Sequence, residues 1–177
     1  MKRKIFITSD HHFYHKNIIR YCDRPFNSYQ EMNETMIKKW NKKVGKNDIV
    51  IHLGDFCLFG EEKARLIRKQ LNGVIILVSG NHDYRNMEDI GFIVVKGNLQ
   101  IGNLILSHRP LQKDEIPKGF INVHGHIHLK NSYYGINICV EKTNYYPILL
   151  ENVGVNVSVE KTDYEPIELC EVMRNGK

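Results

Sequence analysis

Residues 4–12, Lys4-Ile5-Phe6-Ile7-Thr8-Ser9-Asp10-His11-His12, hold the pattern that decides the fold. An apolar, β-branched run that stops on a carboxylate and two imidazoles reads as a buried strand delivering polar groups beyond its C-terminal end. The pattern recurs along the chain. Asp48 to Leu53 runs into Gly54-Asp55, and Val74 to Val78 runs into Gly80-Asn81-His82-Asp83. Val74 to Val78 is apolar throughout, as in a strand covered on both faces. The run 99–107 ends at Ser107-His108, and a fifth, 120–124, leads into His124-Gly125-His126-Ile127-His128. Ligands of α/β sheets bind beyond the strand ends. Taken singly, these are ordinary turns or buried histidines; taken together they describe one site.

Helical signals lie between the early strands. Ser28 and Glu31 form a capping box, followed by Met32, Met36, Ile37, Trp40 and Val44 at helical spacing. Glu61 to Leu71 carries Ala64, Ile67 and Leu71 on one face. After residue 90 short β-rich runs take over at 92–96, 99–107 and 120–124. Strand–helix alternation followed by hairpins suggests a layered α/β sandwich with mixed sheets rather than a doubly wound fold. The C-terminal part is repetitive. Residues 135–153 and 154–172 align without gaps on G-x-N-x-x-V-E-K-T-x-Y-x-P-I-x-L-x-x-V, which reads as a duplicated β-hairpin. Two copies are too few for a solenoid. The first copy is expected to complete the sheet, and the second to extend it or to pair across a two-fold axis in a homodimer.

The chain of 177 residues suits one domain, 1–177, with ordinary apolar (42%) and charged (25%) fractions. Its formal charge of +5 raises nucleic acid as a partner. The basic residues are scattered, however, as on solvated helix faces, so nucleic acid is not the favoured partner. Cys22, Cys57, Cys139 and Cys170 form no C-x-x-C pair and read as free thiols. The apolar run after the basic start is too short for a signal peptide, and no later run could span a bilayer, so a cytoplasmic location with no membrane partner is expected.

The strand ends offer Asp10, His12, Asp55, Asn81, His108, His126 and His128. Imidazole and carboxylate bind first-row divalent ions. Seven such groups suit two ions sharing a carboxylate. Two ions about 3.5–4 Å apart can acidify a water and clamp both the attacking and the departing oxygen of a phosphoryl transfer. In an extended backbone, Asp10 with His12, and His126 with His128, would each share a face.

The series D-x-H, G-D, G-N-H-D, a lone His after an apolar strand, and G-H-x-H resembles the calcineurin-like metallophosphoesterase superfamily over residues 5 to about 153. The stretch from Asp10 through Tyr21 to Phe26 is similar to that of its small single-domain bacterial and phage members. The resemblance implies a four-layer α/β/β/α sandwich and two divalent ions (manganese, iron, zinc, nickel or cobalt). One would be held by Asp10, His12, Asp55 and His128, the other by Asp55, Asn81, His108 and His126, with Asp55 as the bridge. His82 would assist the leaving oxygen, and Asp83 would orient it. Candidates for the substrate phosphate are His11, His15, Arg24 and Arg85, and His124 could orient a ligand. The loop G-D-F-C-L-F-G lacks the D-R-G of protein Ser/Thr phosphatases, and G-N-H is followed by Asp rather than Glu, which points away from phosphoproteins.

The expected activity is hydrolysis of a phosphodiester or phosphomonoester by a bridging hydroxide, on a small phosphate ester or nucleotide-type substrate. A non-catalytic metal-bearing scaffold, a nucleic-acid-binding module and a nuclease of the same chemistry are the alternatives.

Overall fold

The apolar run that opens the chain forms strand β1, Ile5–Thr8, in a computed structural model that describes residues 3–128, 155–156 and 167–168. Strands β2 (Ile49–His52), β3 (Val74–Val78) and β4 (Phe92–Val95) lie parallel to it, in the order β4-β3-β2-β1. Alternation sorts their side chains between two layers. Phe6, Val50, Ile75 and Leu77 face helices α2 (Tyr29–Lys43) and α3 (Gly60–Arg68), while Ile7, Ile51 and Val78 face a second sheet. From α2, Met32, Met36 and Trp40 are fully buried. Each such side chain contributes about 1.5–3 kcal/mol, and the Trp40 indole N–H is satisfied by Asn72 O at 3.0 Å.

The second sheet contains β5 (Leu99–Ile101), β6 (Leu104–Ser107), β7 (Ile121–His124) and β8 (Val155–Asn156) in that order. Strands β6, β7 and β8 are parallel, and β5 is antiparallel to β6. Leu104, Leu106 and Val123 pack against Ile7, Ile51 and Val78, so the main inter-sheet core is aliphatic. The result is a mixed α/β fold with a largely parallel sheet and a second sheet; among the described residues, helix, sheet and sheet layers are in place.

Several elements differ from the sequence expectation for identifiable reasons. The run 99–107 is two antiparallel strands, because Gly102 (φ 58°) and Asn103 turn the chain. Helix α1, Lys16–Tyr21, has six residues and buries only Ile18, too short a pattern to register as periodicity. Ser28 does cap α2 by accepting the Glu31 N–H at 3.1 Å. The Glu31 carboxylate, however, reaches one residue further back than a capping box requires, to the backbone and side-chain N–H groups of Asn27.

The described residues of the second repeat copy, 155–156 and 167–168, join different sheets. Val155–Asn156 is β8, parallel to β7, and Ile167–Glu168 is β9, antiparallel to β1 at the edge of the first sheet. Backbone groups at the edges of both β7 and β1 take up their hydrogen bonds from this copy, so it belongs to both sheets rather than extending one of them. The first copy, 135–153, lies outside the described residues. Among the described residues, Cys22 and Cys57 are buried free thiols, and no helix is long and apolar enough to cross a membrane.

Candidate metal centre

The parallel strands β1, β2, β3, β6 and β7 send their C-terminal extensions to one place. There the side chains form two groups, Asp10 with His12 and His128, and Asp55 with His108 and His126. The ligand atoms within each group lie within 4.8 Å of one another. The backbone that delivers them is not extended. Asp10, His12, Asp55, His126 and His128 all have positive φ, between 45° and 71°. The expectation that His126 and His128 share one face is therefore corrected: left-handed turns send them to different groups. Asp and His tolerate this region better than β-branched residues do, but each still costs roughly 1–3 kcal/mol. Such strain at five convergent residues is characteristic of a functional site.

The two groups meet at Asp55. Its Oδ2 is 3.5 Å from His12 Nε2 and 3.5 Å from His108 Nε2, while Oδ1 accepts the His82 backbone N–H at 2.9 Å. Asp10 is arranged similarly. Its Oδ2 accepts the His126 N–H at 2.9 Å, and Oδ1 faces His12 and His128 at 3.9 and 3.7 Å. In each carboxylate, backbone amides fix one oxygen and aim the other inward.

His108 shows what the site requires. Its Nδ1 lies 2.8 Å from Leu53 O, which can only accept, so Nδ1 carries the proton. Burial lowers the His108 pKa and keeps the ring neutral, which leaves Nε2 as a bare lone pair. That lone pair lies 3.0 Å from Asn81 Oδ1 and 3.5 Å from Asp55 Oδ2, two further acceptors. Convergent lone pairs repel unless a cation lies among them. The spacings fit such an ion. His12 and His128 Nε2 are 3.2 Å apart, and His126 Nδ1 and His108 Nε2 are 3.1 Å apart. Nitrogens about 2.0–2.1 Å from a shared ion would be separated by about 2.8–3.4 Å across right-angled or tetrahedral positions. Burial also pushes the His126 pKa down to about 4 and the Asp55 pKa up, so the imidazoles are available as neutral ligands and the buried carboxylate gains from a cation. Two divalent ions therefore fit the donor set.

Close backbone approaches hold the turns together. Gly54 has φ 91°, and a Cβ there would stand 2.6 Å from Gly80 Cα and 2.7 Å from His108 Nδ1. A Cβ on Gly125 would collide with Ser9 Oγ and Asp10 Oδ2. Asp83 fastens the Gly54-Asp55 turn to the Gly80-Asn81 turn. Its carboxylate accepts N–H groups from Gly80 (2.7 Å), Phe56 (2.8 Å) and Asp55 (2.9 Å). This corrects its expected part as a direct partner of the His82 ring, since both oxygens are directed to backbone amides.

Of the other candidates, His82 is exposed at the rim, its ring 5.5 Å from that of His12. His15 is half-buried, 5.7 Å from His12, with its pKa lowered by burial first and then by His82. Arg85 is exposed on the turn after Asp83. Two substrate candidates are corrected. His11 is fully buried, stacked on Phe13 with its Nδ1 2.9 Å from His52 Nε2, because it points to the opposite side of the turn from its neighbours. Arg24 is 4% exposed and donates to the carbonyl oxygens of Asp10 (2.8 Å) and His11 (2.7 Å), bracing the β1 turn from behind. His124 is fully buried, with Nδ1 3.0 Å from Gly125 O.

Two residues escaped the sequence reading. His52 is fully buried; its Nδ1 accepts the Gly54 N–H at 3.2 Å, so Nε2 carries the proton directed to His11. Burial pushes its pKa down to about 3. Arg109 places Nη2 3.4 Å from Asn81 Oδ1. Its only signal in the sequence was its place directly after His108.

This combination, two sheets delivering paired His/Asp groups from their strand ends, gives two adjacent candidate metal sites that fit a dinuclear centre. Comparison with known proteins makes the class specific. Residues 3–164 match the family described as calcineurin-like phosphoesterase, and the chain belongs to that family. Its sequence is 37% identical over 165 residues to the uncharacterized protein MJ1445 of Methanocaldococcus jannaschii, covering 84% of this chain and 88% of that one. Among solved structures it is similar to the protein AQ665 of unknown function from Aquifex aeolicus (TM-score 0.70, 25% identity, 98% of this chain and 99% of that one). The fold is also similar to that of Pseudomonas putida nuclease MPE (TM-score 0.51, 20% identity, 71% of this chain and 62% of that one).

Proposed function

We propose that this protein hydrolyses a phosphodiester or phosphomonoester, of small-molecule or nucleotide type, at a dinuclear metal centre. The observation that carries the reading is the convergence of the His108 Nε2 lone pair, Asn81 Oδ1 and Asp55 Oδ2, an arrangement that suits a bound cation. Asp10, His12, Asp55 and His128 would hold one ion and Asp55, Asn81, His108 and His126 the other, Asp55 being common to both. Manganese, iron, zinc, nickel or cobalt would supply Lewis-acid charge there and lower the pKa of a bound water.

The protein's own groups complete the reaction. A water attacks phosphorus in line with the ester oxygen and releases a proton to solvent as the P–O ester bond breaks, and His82, on the exposed rim, gives the departing oxygen a proton and is reprotonated from solvent. The hydrogen bond from His82 N–H to Asp55 Oδ1 ties the position of this acid to the carboxylate at the centre. His15, half-exposed with its ring 5.7 Å from that of His12, would donate to a phosphoryl oxygen. A nuclease of the same chemistry is the second reading, favoured by the net charge of +5 and by the shared fold with the Pseudomonas putida nuclease.

The test is turnover by metal-reconstituted protein on p-nitrophenyl mono- and diesters, cyclic nucleotides and short oligonucleotides. Hydrolysis of any ester, lost on chelation and in a His108→Ala variant, supports the reading. Full metal loading with no turnover across the panel contradicts it and leaves a metal-bearing scaffold.

A further inference from the structure

Beside the Asn81 and His108 group, the described residues enclose an open cleft of about 440 Å³. Ser79, Asn81, Asn98, His108, Arg109 and Leu111 are among those that line it. Resting on the phosphoesterase reading above, we infer that Arg109 binds a non-bridging phosphoryl oxygen of the substrate, and that this cleft holds one nucleoside-sized organic group of the ester.

Electrostatics supports the first half. The two metal-binding groups contain two carboxylates, Asp10 and Asp55, beside four imidazoles, which bind metal as neutral ligands. Two dications would leave that centre with net positive charge. Arg109 adds to it, its Nη2 lying beside Asn81 of the second group. A guanidinium beside such a centre is unfavourable until an anion lies among the three cations. Its planar fork matches a tetrahedral phosphate better than an ammonium would. Arg109 is exposed, with Nη2 at 3.4 Å from Asn81 Oδ1, and Ser107 Oγ–H donates to its carbonyl oxygen at 2.7 Å, which fixes the backbone from which it reaches.

The cleft supports the second half. Its volume lies in the lower part of the range for small-molecule sites, about 300–1,000 Å³. The lining mixes the Asn98 amide and the Ser79 hydroxyl with an apolar stretch at Pro110 and Leu111. Amide and hydroxyl suit the polar edges of a base and its sugar, and Leu111 suits a flat apolar face. Leu111 is held in place because its backbone N–H donates to Asn122 Oδ1 at 2.9 Å.

The experiment is calorimetric titration of metal-loaded protein with thymidine 5′-monophosphate and, separately, with inorganic phosphate. For the native sequence the nucleotide should bind at least ~10-fold more tightly than phosphate. Arg109→Ala should weaken both by about 10- to 100-fold, the loss of one charge-to-charge hydrogen bond, and Arg109→Lys should recover part of it. Leu111→Trp should bring the nucleotide down to the affinity of phosphate and leave phosphate unchanged. Asn98→Trp, at an exposed position on another part of the lining, serves the same purpose if Leu111→Trp folds poorly.

Equal affinity for the two ligands in the native protein, or a preference that survives both tryptophan variants, overturns the cleft assignment. Unchanged phosphate binding in Arg109→Ala overturns the anchor. Hydrolysis of methyl p-nitrophenyl phosphate by the native protein, measured in parallel, reports on the phosphoesterase reading alone, so the two failures are distinguishable.

Discussion

Replacing Asp83 by asparagine keeps the shape of the side chain and removes one of its two acceptors. Asp83 Oδ2 takes the N–H groups of Gly80 and Asp55, and Oδ1 takes that of Phe56. An asparagine carbonyl in the Oδ2 position retains two bonds and turns its NH2 against the Phe56 N–H, so two donors face each other. Losing one bond to a charged acceptor costs about 1.5–3 kcal/mol, and the remaining two weaken because they are no longer charge-assisted. Burial raises the Asp83 pKa, so removing the charge returns part of that cost. The net expectation is ~2–4 kcal/mol, which for a chain of this size lowers Tm on the order of 10 °C. Urea and thermal denaturation of the metal-free protein measure it directly. A change within about 0.5 kcal/mol, accompanied by a shifted pH profile of turnover, would refute the clamp between the two turns and return Asp83 to the role of partner for the His82 ring.

His82→Ala should keep both metals and the melting temperature and slow turnover by roughly 10²–10⁴-fold, least with a good leaving group such as p-nitrophenolate; an equal loss across leaving groups would count against proton donation. Deleting residues 154–177 removes β8 and β9, uncovers the edges of both sheets and should abolish cooperative unfolding; a truncated protein with native circular dichroism and metal content would show that the second repeat copy is dispensable. His52 is held neutral, its folded pKa of about 3 lying below the ordinary 6.5. The unfolded chain therefore takes up the proton first, and stability present above pH 6.5 is lost as pH falls toward 3. His52→Gln should flatten that acid limb by up to one proton, ~1.4 kcal/mol per pH unit; an unchanged slope would mean that His52 is not buried as a neutral ring.

The sequence revealed the parts of this structure that depend on composition over several residues. Apolar runs located β1, β2, β3, β6 and β7, and the residues at their ends are those the fold brings together. What it hid depends on direction. His11 and Arg24 sit among the site residues in the sequence but are buried, His11 on the side of the turn opposite Asp10 and His12, and Arg24 donating to the carbonyl oxygens of Asp10 and His11. A carboxylate that binds backbone amides looks the same in a sequence as one that binds a histidine ring, so the partners of Asp83 were not readable. Arg109 belongs to no motif and becomes visible only through its approach to Asn81. The two repeat copies suggested equal hairpins, yet the strands of the second pair with different sheets, a long-range choice that local pattern does not encode.

Metal stoichiometry tests the central claim most directly. Protein stripped with a chelator and dialysed against manganese or zinc should bind two ions per chain. Asp55→Asn, which removes the carboxylate lying 3.5 Å from both His12 and His108, should lose metal at both sites together and ester hydrolysis with it. Saturation of the native protein at one ion or none, or two fully occupied sites in Asp55→Asn, would contradict a dinuclear centre bridged by this residue.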